Sequence, residues 1–177
     1  MAYFFEIWMK GIVNDYAKSI SPHTDDSYHP HITLVRPFSK IYSSEEDITQ
    51  SVAEYCAEKE PIPFYLEGRG DFNGEYFFIP VVHAQELLEF DAGLEELLQN
   101  RVMFHDKLDS EKNLHLTINT QEPISPVETI EQYMLRLTAI KDKRIWFSYD
   151  FVTHDVLNRD ESLDEELWKQ TVELFYP

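Results

Sequence analysis

The sequence predicts an α+β fold with two related halves, and three observations carry that reading. A short motif occurs twice, as His31-Ile32-Thr33-Leu34 and as His115-Leu116-Thr117-Ile118, 84 residues apart. Strand-like segments alternate with helix-like ones on both sides of it. The chain of 177 residues, 43% apolar and 14% aromatic, holds enough hydrophobic side chains for one domain and too many for a disordered chain.

The elements follow in order. Ala2 to Lys10 is aromatic and β-favouring, and Gly11 closes it as a first strand. Asn14 to Ile20 fits a short helix, which runs into a turn-rich loop with Pro22 and Pro30. The first motif strand comes next and stops near Pro37, because proline cannot donate to a sheet ladder. Ser43-Ser44-Glu45-Glu46-Asp47 starts a helix, a serine cap followed by acids that suit the dipole, and Ile48, Val52, Tyr55 and Cys56 form its apolar face to about Lys59. Phe64–Glu67 and Glu75–Val82 read as strands around a glycine-rich turn. Ala84–Gln99 reads as a leucine-faced helix, and the second motif strand is its partner. Ser125-Pro126 predicts a third helix to about Ile140, with proline in its first turn. Arg144–Thr153 is an aromatic strand, and Asn158–Glu166 an acidic loop or short helix. The alternation over Trp168–Tyr176 favours a final strand, although Leu163, Leu167 and Leu174 also keep helical spacing.

Side chains alternate along a strand, so His31, Thr33 and Val35 share one face and Ile32 and Leu34 the other. His115, Thr117 and Asn119 repeat the arrangement against Leu114, Leu116 and Ile118. Each motif therefore has an apolar back for the core and a front with an imidazole beside a hydroxyl. Two such fronts facing each other make an acid-base site. Imidazole gives up or takes a proton near neutral pH, and a hydroxyl two residues along donates to phosphoryl oxygens.

Charge narrows the partners. Fifteen basic against 33 acidic residues leave a net charge of −18, which repels duplex DNA and long RNA but leaves room for a local basic pocket. The single Cys56 excludes an intramolecular disulfide and a cysteine metal cluster, and reads as a small core residue. The N-terminal stretch is too short to span a bilayer and lacks signal-peptide character, so a soluble, cytoplasmic protein without membrane contact is expected.

The paired motifs resemble the signature of the 2H phosphoesterase superfamily, which includes 2′-5′ RNA ligase-like proteins and cyclic nucleotide phosphodiesterases. With the N-terminal strand ahead of the first motif, the resemblance extends over most of the chain. It implies two similar lobes, each a mainly antiparallel sheet with helices on its outer face, around a V-shaped cleft. It also implies His31 and His115 as catalytic histidines, and Thr33 and Thr117 as phosphate-contacting hydroxyls. The expected activity is metal-independent hydrolysis of a 2′,3′-cyclic phosphate, or of a similar small nucleotide or RNA-end phosphodiester, with no cofactor. The alternatives are a 2′-5′ RNA ligase-like activity, which the acidic surface disfavours, and a module that binds a nucleotide or RNA end without turnover.

Around the motif, Arg36 becomes a phosphate ligand if Pro37 bends the strand, and Tyr28 and Phe38 are placed to stack on a base or to pack in the core or at the rim. His29-Pro30-His31, with His23 nearby, suggests metal ligands, but no carboxylate or cysteine stands at a diagnostic spacing, so no metal is expected. His83, His105 and His154 read as surface or loop residues.

Overall fold

A computed structural model of the chain describes residues 1–21, 29–107, 112–118, 120 and 122–177. The elements are β1 (Tyr3–Trp8), α1 (Gly11–Ser19), β2 (His31–Thr33), β3 (Phe38–Lys40), α2 (Glu45–Ala57), β4 (Ile62–Gly68), β5 (Gly70–Phe72), β6 (Tyr76–Val82), α3 (Gln85–Leu98), β7 (Val102–Phe104), β8 (His115–Ile118), β9 (Val127–Met134), β10 (Arg136–Lys141), β11 (Arg144–Asp150), β12 (Val156–Leu157), α4 (Arg159–Leu163) and α5 (Glu165–Phe175). The architecture is α+β, and the described strand pairs are antiparallel, in the order β12-β11-β10-β1-β2-β8-β6-β4-β9. The short strands β3, β5 and β7 attach beside this path.

The two motif strands stand side by side in the middle of that order. Their apolar backs behave as alternation requires: Ile32, Leu34, Leu116 and Ile118 are fully buried. They join Phe5, Phe64, Leu66 and Ile79 in one core with the inner faces of α2 and α3, which supply Ile48, Val52, Cys56, Leu87, Leu94 and Leu98. Helix α2 begins as its acids predict. Ser44 accepts from the Asp47 amide while Asp47 accepts from the Ser44 amide, a reciprocal cap. Burial pushes the Cys56 thiol up to about 12, consistent with an inert core residue.

Two predicted elements are corrected. The segment expected as a third helix from Pro126 to Ile140 is instead the strand pair β9 and β10, separated at Leu135. Val127, Thr129, Ile130, Tyr133 and Thr138 are β-branched or aromatic, and long-range pairing overrides the local Ser-Pro start signal: β9 pairs with β4, and β10 lies between β1 and β11. The expected last strand is helix α5. The Asp164 side chain accepts from the amides of Glu166 and Leu167, and an N-cap of this strength, with two acids in the first turn, outweighs the alternation that follows.

Helix α5 lies on the face opposite to α2 and α3. Glu6 is paired with Thr138 and with Thr33, so these three share a face, and Arg136 and Asp150 continue it on β10 and β11. Thr171 of α5 donates to Asp150 and accepts from Arg136 on that face. Trp168 packs under the Arg136 guanidinium, 5.2 Å from it, and Phe175 meets Tyr133 of β9. Among the described residues, no helix is long and apolar enough to cross a membrane.

Candidate active site

The antiparallel pair Ile32↔Leu116 locks β2 to β8. One step in either direction along that register sets His31 opposite Thr117 and Thr33 opposite His115. Opposed Cβ atoms in such a pair lie about 5 Å apart. Two imidazoles and two hydroxyls thus occupy the corners of one small patch, each histidine facing the other motif's threonine. Thr33 is exposed, and His31, His115 and Thr117 are half-buried.

Both rings are held in the same way. His31 Nδ1 lies 3.0 Å from the carbonyl oxygen of His29, and His115 Nδ1 lies 2.9 Å from that of Asn113, in each case two residues upstream. A carbonyl can only accept, so each Nδ1 carries hydrogen and donates it. Nε2 is therefore the atom each histidine offers to a ligand, as lone pair or as N–H.

The surroundings of the two Nε2 atoms differ. Glu6, fully buried on β1, brings Oε2 to 3.7 Å from His31 Nε2, while its Oε1 accepts from His29 Nε2 at 2.7 Å. Among the described residues, Glu6 Oε2 has no hydrogen-bond partner of its own. The His29 ring is tilted against Trp8 at 3.9 Å between centroids, and lies 5.0 Å from the His31 ring. His115 instead sits against Phe72 at 5.1 Å and Phe78 at 5.0 Å, and those two rings meet at 4.6 Å. Gly70 is required there, because a Cβ at that position would run into the Phe78 ring.

Behind the patch, α3 holds the flanks of both motif strands. Glu95 lies 3.5 Å from Arg36, just past β2, and 3.3 Å from Lys112, just before β8. Lys112 also donates to Asp91 at 2.6 Å. Burial pushes the Asp91 carboxyl up to about 6, against the pull of Lys112.

Of the residues expected at the site, the structure brings together His31, Thr33, His115 and Thr117. Arg36 is not with them. It runs with the back face, bonded to the Asp106 carbonyl and lying 4.3 Å above the Phe104 ring beside Glu95, so the bend at Pro37 does not bring it to the front. Phe38 is fully buried, stacked on Tyr3 and Phe5, and packs as core. Tyr28 and His23, like Asn119, lie outside the described residues. His83, His105 and His154 are exposed, and their contacts are with Tyr65, Ser39 and Tyr149, away from the motifs. The carboxylate missing from the sequence around His29-Pro30-His31 arrives from β1. Ligand atoms of Glu6, His29 and His31 lie within 4.8 Å of one another, so among the described residues these three are the group that could hold a metal ion. Sequence reasoning missed Glu6, Phe72 and Phe78. A lone acid inside the apolar strand Tyr3–Trp8 was the available signal for the first, and none marked the other two.

The family model of the 2′-5′ RNA ligase superfamily matches residues 6–154. The chain belongs to that superfamily. The resemblance carried by the two His-x-Thr motifs stands, while α4 and α5 lie beyond the matched region. Two solved structures share the fold. One, a phosphoesterase, is 12% identical with a TM-score of 0.52, covering 88% of this chain and 92% of that one. The other, TT0787 of Thermus thermophilus, is 17% identical with a TM-score of 0.52, covering 85% of this chain and 98% of that one. No curated protein sequence matches the chain.

Proposed function

We propose that this superfamily member is a phosphodiesterase that opens a 2′,3′-cyclic phosphate, or a similar small nucleotide or RNA-end phosphodiester, by paired-histidine acid-base catalysis without a metal. The observation that carries the reading is the register of β2 against β8, which sets His31 and His115 on one face with a threonine opposite each. In this reading the flanks β12-β11-β10-β1-β2 and β8-β6-β4-β9 are the two lobes, and the cleft lies over the motif strands.

The phosphoryl group rests above the patch. One neutral imidazole takes a proton from water through Nε2 as the water oxygen bonds to phosphorus. The other, cationic, gives its Nε2 proton to the sugar oxygen as the P–O bond breaks. Thr33 and Thr117 donate to the nonbridging oxygens, where charge accumulates in the transition state. The Nδ1–H donations occupy that nitrogen on each ring and leave Nε2 as the atom that exchanges the proton. The Glu6 carboxylate, which also accepts from His29, supplies negative charge beside only one of the two motif histidines, and we assign proton donation to His31 because that charge compensates an imidazolium. His115, set against the Phe72 and Phe78 rings with no carboxylate contact among the described residues, is assigned as base.

The test is incubation of chelator-treated protein with 2′,3′-cyclic nucleotides and short RNAs ending in cyclic phosphate, alongside His31→Ala and His115→Ala. Hydrolysis that survives the chelator and disappears in both variants is expected. Binding with full recovery of intact substrate, by folded protein, would favour a recognition module instead.

A further inference from the structure

The motif patch is flanked by a basic pocket that the proposed reaction does not use. A cavity of about 620 Å³ adjoins Trp8 and His29, and Lys10, Lys18, Lys143, Arg144 and Arg159 line it. A chain with 15 basic and 33 acidic residues thus gathers five of its cations around one pocket beside the candidate active site. Among the described residues only Asp15 and Glu165 oppose them in that lining, and Glu165 is paired with Lys10 at 3.0 Å. Lys18, Lys143 and Arg144 are exposed and have no ion-pair partner among the described residues. Like charges crowd together against their repulsion here, in a chain that is acidic as a whole. That arrangement suits an anion.

The pocket is contiguous with the patch. Trp8 is the strand partner of His31, and His29, two residues from His31 with its ring 5.0 Å away, forms part of the pocket wall. Trp8 and Trp168 add aromatic surface to the same lining, of the kind that accepts a base or a ribose. Trp168 and Arg159 come from the C-terminal helices, outside the stretch that matches the superfamily.

We infer that this pocket binds a second phosphoryl group of the substrate, one nucleotide step away from the phosphate over His31 and His115. The inference rests on the phosphodiesterase reading and narrows it. The preferred substrate carries at least two phosphates, and a nucleoside 2′,3′-cyclic phosphate with a free 5′-hydroxyl is a poor one. The second phosphate is either the next phosphodiester of an RNA end or a terminal 5′-phosphate.

The experiment uses the full chain and three ligands: a nucleoside 2′,3′-cyclic phosphate, the same compound with a 5′-phosphate, and a trinucleotide ending in the cyclic phosphate. Each is measured with the wild type and with Lys143→Asn combined with Arg144→Ala. Asparagine is chosen because position 143 has φ 66°, which it tolerates. Binding of labelled trinucleotide is read by fluorescence anisotropy, independently of turnover. The wild type should bind it at least tenfold more tightly than the double variant, and added salt should shrink the difference. In turnover, KM for the two-phosphate ligands should rise at least tenfold in the variant with kcat unchanged, and the free 5′-hydroxyl compound should not respond. A gain already complete with the 5′-phosphate identifies a terminal phosphate, whereas a gain confined to the trinucleotide identifies the internucleotide one. Equal trinucleotide binding by wild type and variant overturns the pocket, even if all three compounds are hydrolysed. Failure of turnover with the binding difference intact overturns the enzymatic reading and leaves the pocket standing.

Discussion

The two histidines share a lock and differ in company. Each donates Nδ1–H to a carbonyl two residues upstream, so the backbone of both motifs aims Nε2 in the same manner. Around His31 the sheet supplies a buried carboxylate, a second imidazole and an indole. Around His115 it supplies two phenyl rings. The lesson is that a repeated motif sets position, while the strands beside it set chemistry. β1 borders one copy and the β5–β6 hairpin borders the other, and their sequences are unrelated.

The largest expected effect comes from removing what the two sides share. His31→Ala and His115→Ala should each lower kcat by at least 100-fold, within the usual range for a general acid or base, with the thermal unfolding midpoint little changed. The double variant should be scarcely worse than either single one, since the one displacement uses both histidines together. Retained turnover in either folded variant would sink the symmetric part of the comparison.

Thr33→Val and Thr117→Val come next. Removing an oxyanion donor costs about 2.7–4 kcal/mol in kcat, so losses on the order of 100-fold are expected from both, with KM moving less. A large effect at one threonine and none at the other would show that the phosphate sits closer to one motif.

Glu6→Gln attacks the difference directly. It keeps the shape and removes the charge beside His31. A loss of about tenfold in kcat, near 1.4 kcal/mol of barrier, is expected, with a displaced pH profile for kcat. An unchanged profile would mean that Glu6 serves only to hold His29 and that the donor assignment is wrong.

The smallest effect concerns the support common to both sides. Asp91 on α3 has its carboxyl pushed up to about 6 from an ordinary 3.8, chiefly by burial. Its proton is therefore held more tightly in the folded state than in the unfolded one. The stability contributed by this group is fully present below about pH 4 and is lost as pH rises to about 6. Asp91→Asn should flatten the pH dependence of the urea midpoint across that window, while Lys112 keeps Glu95 as partner. A slope identical to wild type would place the titration elsewhere.

Much of the fold is legible because it is written in local pattern. The alternation in His31–Leu34 and His115–Ile118 requires one buried and one presented face, and Ser44 with Asp47 caps α2 as a serine before acids does. Segment 126–140 misleads because Ser125-Pro126 is a genuine local start signal. Its strands form through pairing with β4, β1 and β11, which no nearby residue encodes. Arg36 shows the limit at the site. Its proximity to the motif suggests a phosphate ligand, but it lies beyond the end of β2 and is held at the back by Glu95 and Phe104.

The sequence by itself determined which atoms of the motifs are available: two imidazoles, each two residues before a hydroxyl, on strands whose other side must be buried. Only the tertiary structure decided what surrounds them, because Glu6, Phe72 and Phe78 reach the motifs across strand registers, and the cations of the basic pocket gather beside Trp8 and His29 from segments distant in the chain. Periodicity is a property of one segment. The field and the shape of a site belong to the segments that close around it.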